Sequence, residues 1–132
     1  MNPGSLVRHI VMWNIAGATP AEKRANIERL RQGFERLRGR IPGLLHLDIG
    51  VDSSGVDYAC DVVLYSEFAS QAALDAYATH PEHVQLKAAL GDMRTARHQV
   101  DYAWAPLPLT LTAPLAVPQA GPGPMDIQEP GA

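Results

Sequence analysis

Val7 to Ile15 is apolar on both faces of an extended segment, and that pattern limits the folds open to the chain. In a strand, successive side chains point to opposite sides. His9, Val11, Trp13 and Ile15 fall on one side, Ile10 and Met12 on the other. A strand of this kind must be covered twice. One layer of helices covers only one face of a sheet, so the second cover has to come from elsewhere.

The other periodicities supply the partners. Thr19-Pro20-Ala21-Glu22 is the clearest helix start: Thr19 suits the N-cap, Pro20 the first helical position, and Glu22 completes a capping box. Ile27, Leu30, Phe34 and Leu37 mark the apolar face of that helix, with Arg24, Glu28, Arg31, Glu35 and Arg38 on its solvated side. Gly39 and Pro42 end it. Leu45, Leu47, Ile49 and Val51 alternate as a second strand. Asp52-Ser53-Ser54-Gly55 is a turn, and Tyr58 to Ser66 reads as a third strand, antiparallel because the connection is short. Ser70 caps a helix carrying Ala73, Leu74 and Tyr77. Pro81 breaks it and starts another, with Val84, Lys87 and Leu90 on a common face. The last strand, Ala96 to Trp104, separates His98, Val100, Tyr102 and Trp104 from Arg97, Gln99 and Asp101.

The order is strand, helix, strand, strand, helix, strand. It predicts an α+β, ferredoxin-like βαββαβ fold, a four-stranded antiparallel sheet with helices on one face. The uncovered face would be a large apolar patch on a monomer. Two sheets packed face to face remove it, so a homodimer is expected.

Composition narrows the class. The 132 residues carry 46% hydrophobic and 19% charged residues, globular proportions for one domain. A net charge of −3 provides no basic footprint for nucleic acid. No apolar run approaches the ~20 residues a membrane-spanning helix needs. Met1 to Leu6 lacks the pattern of a secretory leader, and the single cysteine, Cys60, fits a cytoplasmic protein. Cys60 lies in an apolar stretch and is expected to pack rather than react. From Pro106 to Ala132 the chain has seven of its eleven prolines and no Lys or Arg. The expected organisation is a domain over 1–105 and a Pro-rich tail over 106–132. The alternating Leu107, Leu109 and Leu111 would let that tail dock along an edge.

Chemistry concentrates in Asp75-Ala76-Tyr77-Ala78-Thr79-His80-Pro81-Glu82-His83. Histidine can take or give a proton near neutral pH, and tyrosine can donate a hydrogen bond to a developing oxyanion. His83 is the candidate general base, or else a structural histidine in the first turn of the last helix. Tyr77 is the candidate oxyanion donor, or else a core aromatic with a hydrogen-bonded tip. His80 precedes a proline and is expected to cap the last helix. His9 shares its strand face with Val11 and Trp13, which with Ile15, Val62 and Leu64 would line a cavity between sheet and helices. His98 is a further candidate for a polar contact in that interior. His46 shares a face with Asp48 and is expected to be exposed. His80 and His83 lie three apart and His9 could approach them, but Pro81 spoils a simple helical pair and no zinc signature is present. Neither metal nor cofactor is expected.

Val7-Arg8-His9-Ile10-Val11, Ile41-Pro42-Gly43, Tyr58 with the strand after it, Phe68, Ala73-Leu74-Asp75-Ala76-Tyr77, His80-Pro81-Glu82-His83 and Asp101-Tyr102 follow one another over residues 6–104. In this order and spacing the chain resembles the stress-responsive A/B barrel (Dabb) family, whose members form dimeric α/β barrels. The resemblance extends to plant polyketide cyclases of the olivetolic acid cyclase type, which work by intramolecular aldol condensation. It implies His83 as catalytic histidine, Tyr77 as catalytic tyrosine, and counterparts for His9 and His80. The expected substrate-binding residues are His9 and His80, which have those counterparts, and Val11, Trp13, Val62 and Leu64, which are expected to line the cavity. Trp13 is a bulky departure on a pocket-facing strand. Two functions follow as expectations: a cofactor-free polyketide cyclase or related lyase acting on a β-carbonyl molecule, or a non-catalytic, stress-related protein that binds a small hydrophobic molecule.

Overall fold

Strand β1 (Leu6–Ile15) runs through the middle of the molecule and pairs antiparallel on both edges. The structure, a computed structural model, describes residues 5–105. The expected C-terminal tail, with Leu107, Leu109 and Leu111, lies outside the described residues. Strands β2 (Leu44–Val51), β3 (Val62–Phe68) and β4 (Arg94–Trp104) complete a four-stranded antiparallel sheet in the order β2-β3-β1-β4. Helices α1 (Pro20–Glu35), α2 (Gln71–Ala78) and α3 (Pro81–Leu90) cover one face, followed by a short 3₁₀ turn at Gly91–Met93. This is the expected ferredoxin-like arrangement, and the second helix is divided at Pro81 as its sequence requires.

The core forms where the helices meet the inward face of the sheet. Val7, Val11, Trp13, Ile15, Leu47, Val62, Leu64 and Phe68 contribute from the strands. Leu30, Phe34, Leu74, Tyr77, Leu86 and Leu90 contribute from the helices. Trp13 stacks on Phe34 with ring centres 5.5 Å apart, joining β1 to α1. Such a pair adds about 0.5–1.5 kcal/mol beyond the area it buries.

Local chemistry sets the element ends, with some departures from expectation. Thr19 Oγ1 accepts the Glu22 amide at 3.1 Å, but the Glu22 carboxylate reaches past the cap to the Ala18 N–H. Helix α1 stops at Glu35, before Gly39; the chain goes on in turns that still bury Leu37. In β2 an irregularity between Leu44 and His46 takes Leu45 out of the alternation, so it is exposed while Leu47 is buried. Strand β3 starts at Val62 rather than Tyr58. Just before it, the Asp61 carboxylate accepts the Ile15 amide at 2.7 Å and pairs with Lys23 at 3.0 Å, ending the ladder. On α3 the buried residues are Leu86 and Leu90, with Val84 turned out to solvent. Cys60 is half-buried and free.

The other sheet face presents Ile10, Met12, Val63, Tyr65, Val100, Tyr102 and Trp104, with nothing from the described residues above it. Val100 is 53% exposed and Tyr102 41%. Arg8 lies on this face, its guanidinium 3.8 Å from the Trp104 ring centre and its Nη1 donating to the Tyr102 hydroxyl at 3.1 Å. No described helix is long and apolar enough to cross a membrane.

The α1–β2 connection closes through Gly43, at φ 81°. Its carbonyl accepts the Ala69 amide at 2.8 Å, and a methyl group added to it would lie 2.5 Å from Cβ of Ala73 on α2. Gly43→Ala is expected to destabilise the fold by about 1–3 kcal/mol, because strain and overlap add. Gly55→Ala, at φ 70° in open space, should cost only about 1 kcal/mol. Urea unfolding of both variants checks this; equal losses would show that the α2 contact is unimportant.

Candidate functional site

The division of the second helix places the candidate residues. His80 is extended, as the residue before a proline tends to be (φ −62°, ψ 135°), and its Nδ1 accepts the Glu82 amide at 3.1 Å. It is the N-cap of α3, a role normally taken by a short polar side chain. With α3 started there, His83 falls in its first turn beside Tyr77, in the last turn of α2. The two rings stack, centres 3.9 Å apart and planes 18° from parallel.

His83 Nδ1 lies 3.1 Å from the Tyr77 backbone oxygen. A carbonyl only accepts, so Nδ1 carries the proton and donates it. In the neutral ring this leaves Nε2 with a free lone pair. Burial, with Lys87 one turn further along α3, lowers the His83 pKa to about 4 from its ordinary 6.5. The ring is therefore neutral across the physiological range.

Tyr77 is 3% exposed, and its hydroxyl is buried without a hydrogen-bond partner among the described residues. Such groups are rare, because an unmade buried hydrogen bond costs about 1–3 kcal/mol. Desolvation raises the phenol well above its ordinary range, against the opposing pull of Arg97 and Arg94. The phenol thus stays protonated and able to donate.

His9 completes the polar floor. It is 6% exposed, and its Nδ1 lies 2.6 Å from Asp101 Oδ1 on the paired strand β4. The Asp101 carboxylate also accepts from Gln99 Nε2 at 3.0 Å, and Gln99 Oε1 accepts from Arg97 at 2.5 Å. A hydrogen-bonded row thus runs along β4 to His9. The His9 ring meets Tyr77 and Phe68 edge-on at 6.1 and 6.2 Å.

These residues surround a cavity of about 340 Å³. His9, Val11, Trp13, Leu64, Tyr77 and His83 all line it, so six of the expected site residues come together. Two do not. His80 is occupied in capping α3. Val62, the cross-strand neighbour of Trp13, packs in the core, while Trp13 and Phe34 form the cavity wall on that side. Ile15 is likewise core rather than lining. His98 belongs to the opposite face, paired with Met12 and exposed. His46 is exposed and bonded to Asp48 at 2.8 Å. Among the described residues, no three His, Cys, Asp or Glu side chains converge in a group able to hold a metal ion.

Sequence reasoning did not single out Gln71, Asp75, Lys87, Arg94, Arg97, Gln99 and Asp101, which also line the cavity. The signal for the β4 residues was the polar alternation Arg97, Gln99, Asp101. Its meaning depended on register, which sets them opposite Trp13, Val11 and His9.

Two measurements test this electrostatic description. Tyr77→Phe removes a buried hydroxyl without a partner and should raise the unfolding free energy, by about 1 kcal/mol, where deleting a satisfied hydroxyl would lower it. A loss of stability on chemical denaturation would contradict the orphaned state. For His83 the folded chain binds fewer protons than the unfolded chain between pH 6.5 and about 4. Its contribution is thus retained above pH 6.5 and lost as pH falls towards 4. His83→Gln should flatten the acid side of the stability profile, and a profile unchanged from wild type would refute the lowered pKa.

The model of the Stress responsive A/B Barrel Domain matches residues 7–104. A dimeric protein of unknown function and ferredoxin-like fold from Bacteroides fragilis is 29% identical, over 75% of this chain and 96% of that one, with a TM-score of 0.67. A Dabb family protein from Mesorhizobium loti is 24% identical, over 79% and 99%, with a TM-score of 0.61. Hydroxynitrile lyase from Passiflora edulis shares the fold at 16% identity, over 80% and 100%, with a TM-score of 0.66. No curated protein sequence is a significant match. The match across residues 7–104 takes in every described strand and helix except the first residue of β1, and the chain belongs to the stress-responsive A/B barrel family.

Proposed function

We propose that this protein is a homodimeric enzyme that binds a small, largely apolar β-carbonyl molecule and catalyses its transformation by acid–base chemistry without a cofactor. The observation that carries the reading is the pairing of an unpartnered, buried Tyr77 hydroxyl with a neutral His83 in one cavity. One group is set to donate and the other to accept.

The chemistry these groups support is an aldol ring closure. His83 Nε2 removes a proton from a carbon between two carbonyls, giving an enolate. The enolate carbon attacks a second carbonyl of the same molecule, forming a carbon–carbon bond. Tyr77 donates to the oxygen on which charge develops. The imidazolium then returns its proton to that oxygen, so no proton, oxidant or reductant is consumed. Desolvation disfavours the imidazolium, and the enolate beside it supplies the compensating charge. Val11, Trp13, Leu64 and Leu74 give the cavity its apolar wall. That a hydroxynitrile lyase shares this fold supports a lyase-type reaction within such an architecture.

The homodimer reading rests on the uncovered sheet face and on fold relatives described as dimers. A second copy packed there would bury Ile10, Met12, Val100 and Tyr102 and give β1 the second cover its sequence demands. Val100→Asp should shift the protein from dimer to monomer in analytical ultracentrifugation at micromolar concentration. A wild-type protein that sediments as a monomer would refute the assembly.

Turnover of a β-diketone chain to a cyclic product tests the chemistry. His83→Ala should lower kcat by about 10²- to 10⁴-fold. Tyr77→Phe should lower it by about 10²- to 10³-fold while keeping the fold. Because the base must be unprotonated, kcat/KM should stay flat down to about pH 4 and then fall about tenfold per pH unit. Ligand binding that persists in wild type and in His83→Ala, with no turnover of the bound compound, would favour the non-catalytic binding protein instead.

A further inference from the structure

Charge is distributed unevenly around the cavity. Lys87, Arg94 and Arg97 line one side of it, and the same three border a shallower depression continuing past Trp13 and Gly91. Among the described residues none of the three has a carboxylate within ion-pair distance; Arg24, Arg29 and Arg36 have none either, but those three do not line the cavity. The two acids facing the same cavity are engaged elsewhere. Asp101 accepts from His9 and Gln99, and Asp75 from Gln71 at 2.9 Å.

Arg94 is the most informative of the three. Its guanidinium lies 5.8 Å from the Trp13 ring centre. Its Nη2 makes one long bond, 3.4 Å, to the Lys87 carbonyl, and its buried Nε has no acceptor among the described residues. Arg97, near enough to repel it, donates only to the neutral oxygen of Gln99. Arg94 is half-buried and Arg97 exposed, and leaving the one buried donor, Nε, unsatisfied beside a second cation is unfavourable unless an anion joins them. The positive field reaches the acid–base pair as well: Arg94 and Arg97 act on the Tyr77 phenol, and Lys87 on the His83 ring.

We infer that Lys87, Arg94 and Arg97 form a carboxylate-binding subsite, so that the molecule this cavity takes ends in a carboxylate one turn of α3 beyond His83. The inference deepens the function proposed above and rests on it only for which end of the molecule reacts. A guanidinium edge offers Nε and one Nη as parallel donors, which matches the two oxygens of a carboxylate. The anion satisfies the buried Nε and relieves the repulsion between Arg94 and Arg97. An apolar chain extending from it meets Trp13 and Leu64, and the far carbonyls meet Tyr77 and His83. The subsite would select a free acid over its amide or ester.

Calorimetric titration of the full-length protein with octanoate, octanamide and octyl phosphate tests this. Wild type should bind octanoate at least about tenfold more tightly than octanamide, and added salt should weaken only the anions. Arg94→Gln and Arg97→Gln should each weaken octanoate by about 10- to 100-fold and leave octanamide unchanged. Lys87→Gln, at an exposed helical position, should weaken it less and keeps the test available if an arginine variant fails to fold. Equal binding of octanoate and octanamide by wild type, no octanoate binding at millimolar concentration, or a preference that survives the substitutions would overturn the subsite. Tighter binding of octyl phosphate than octanoate would overturn its assignment to a carboxylate. His83→Gln should retain the preference for octanoate. The preference together with unimpaired turnover in His83→Gln would leave the subsite standing and remove the base.

Discussion

The register of β1 against β4 is the constraint on which the site depends. It sets His9 opposite Asp101, Val11 opposite Gln99 and Trp13 opposite Arg97. A slip of one residue would turn each of those β4 side chains to the other face. Val100 and Tyr102 would then press into the cavity, and His9 would lose its carboxylate. The inward face pays for specificity by carrying a polar edge strand beside an apolar central one. That contrast makes the space under α2 and α3 a cavity with polar anchors rather than more core.

How much of this was legible follows from the range of the interactions involved. Thr19, Ser70 and Pro81 act over three or four residues, and the helices they start were readable in order. The alternation in β1 showed its two apolar faces directly. Leu45 was misplaced because a local irregularity in pairing breaks the period of two. The third strand was read too early because Tyr58 and Ala59 have strand-like neighbours, while its actual boundary comes from Asp61 reaching Ile15 and Lys23. Val84 and Leu86 are both apolar on a short helix, and only the packing of Leu86 against Gly33 decides between them. Tyr77 and His83 were visible as a pair. The cations were not, because Lys87 on α3 and Arg94 and Arg97 at the start of β4 face one cavity only once the helix is packed on the sheet.

The two faces of the sheet have different characters. The helix side holds the cavity and all the residues assigned roles in the chemistry. The other side holds exposed Val100, Met12 and Tyr102, with Arg8 anchored on Trp104 and Tyr102. On the reading proposed above, association and catalysis occupy opposite surfaces of one layer only a strand's thickness apart. Neighbours on β1 thus alternate between tasks: His9 and Val11 serve the cavity, Ile10 and Met12 the outer face.

Tyr77 contributes twice, through its hydroxyl and through the backbone oxygen that holds the His83 proton on Nδ1. The first contribution belongs to the side chain, and the second to whatever residue occupies the last turn of α2. The hydroxyl can therefore be lost by substitution while the tautomer of His83 survives. The helix junction thus acts as a common mount, fixing the His83 proton through its backbone and placing the phenol through its side chain.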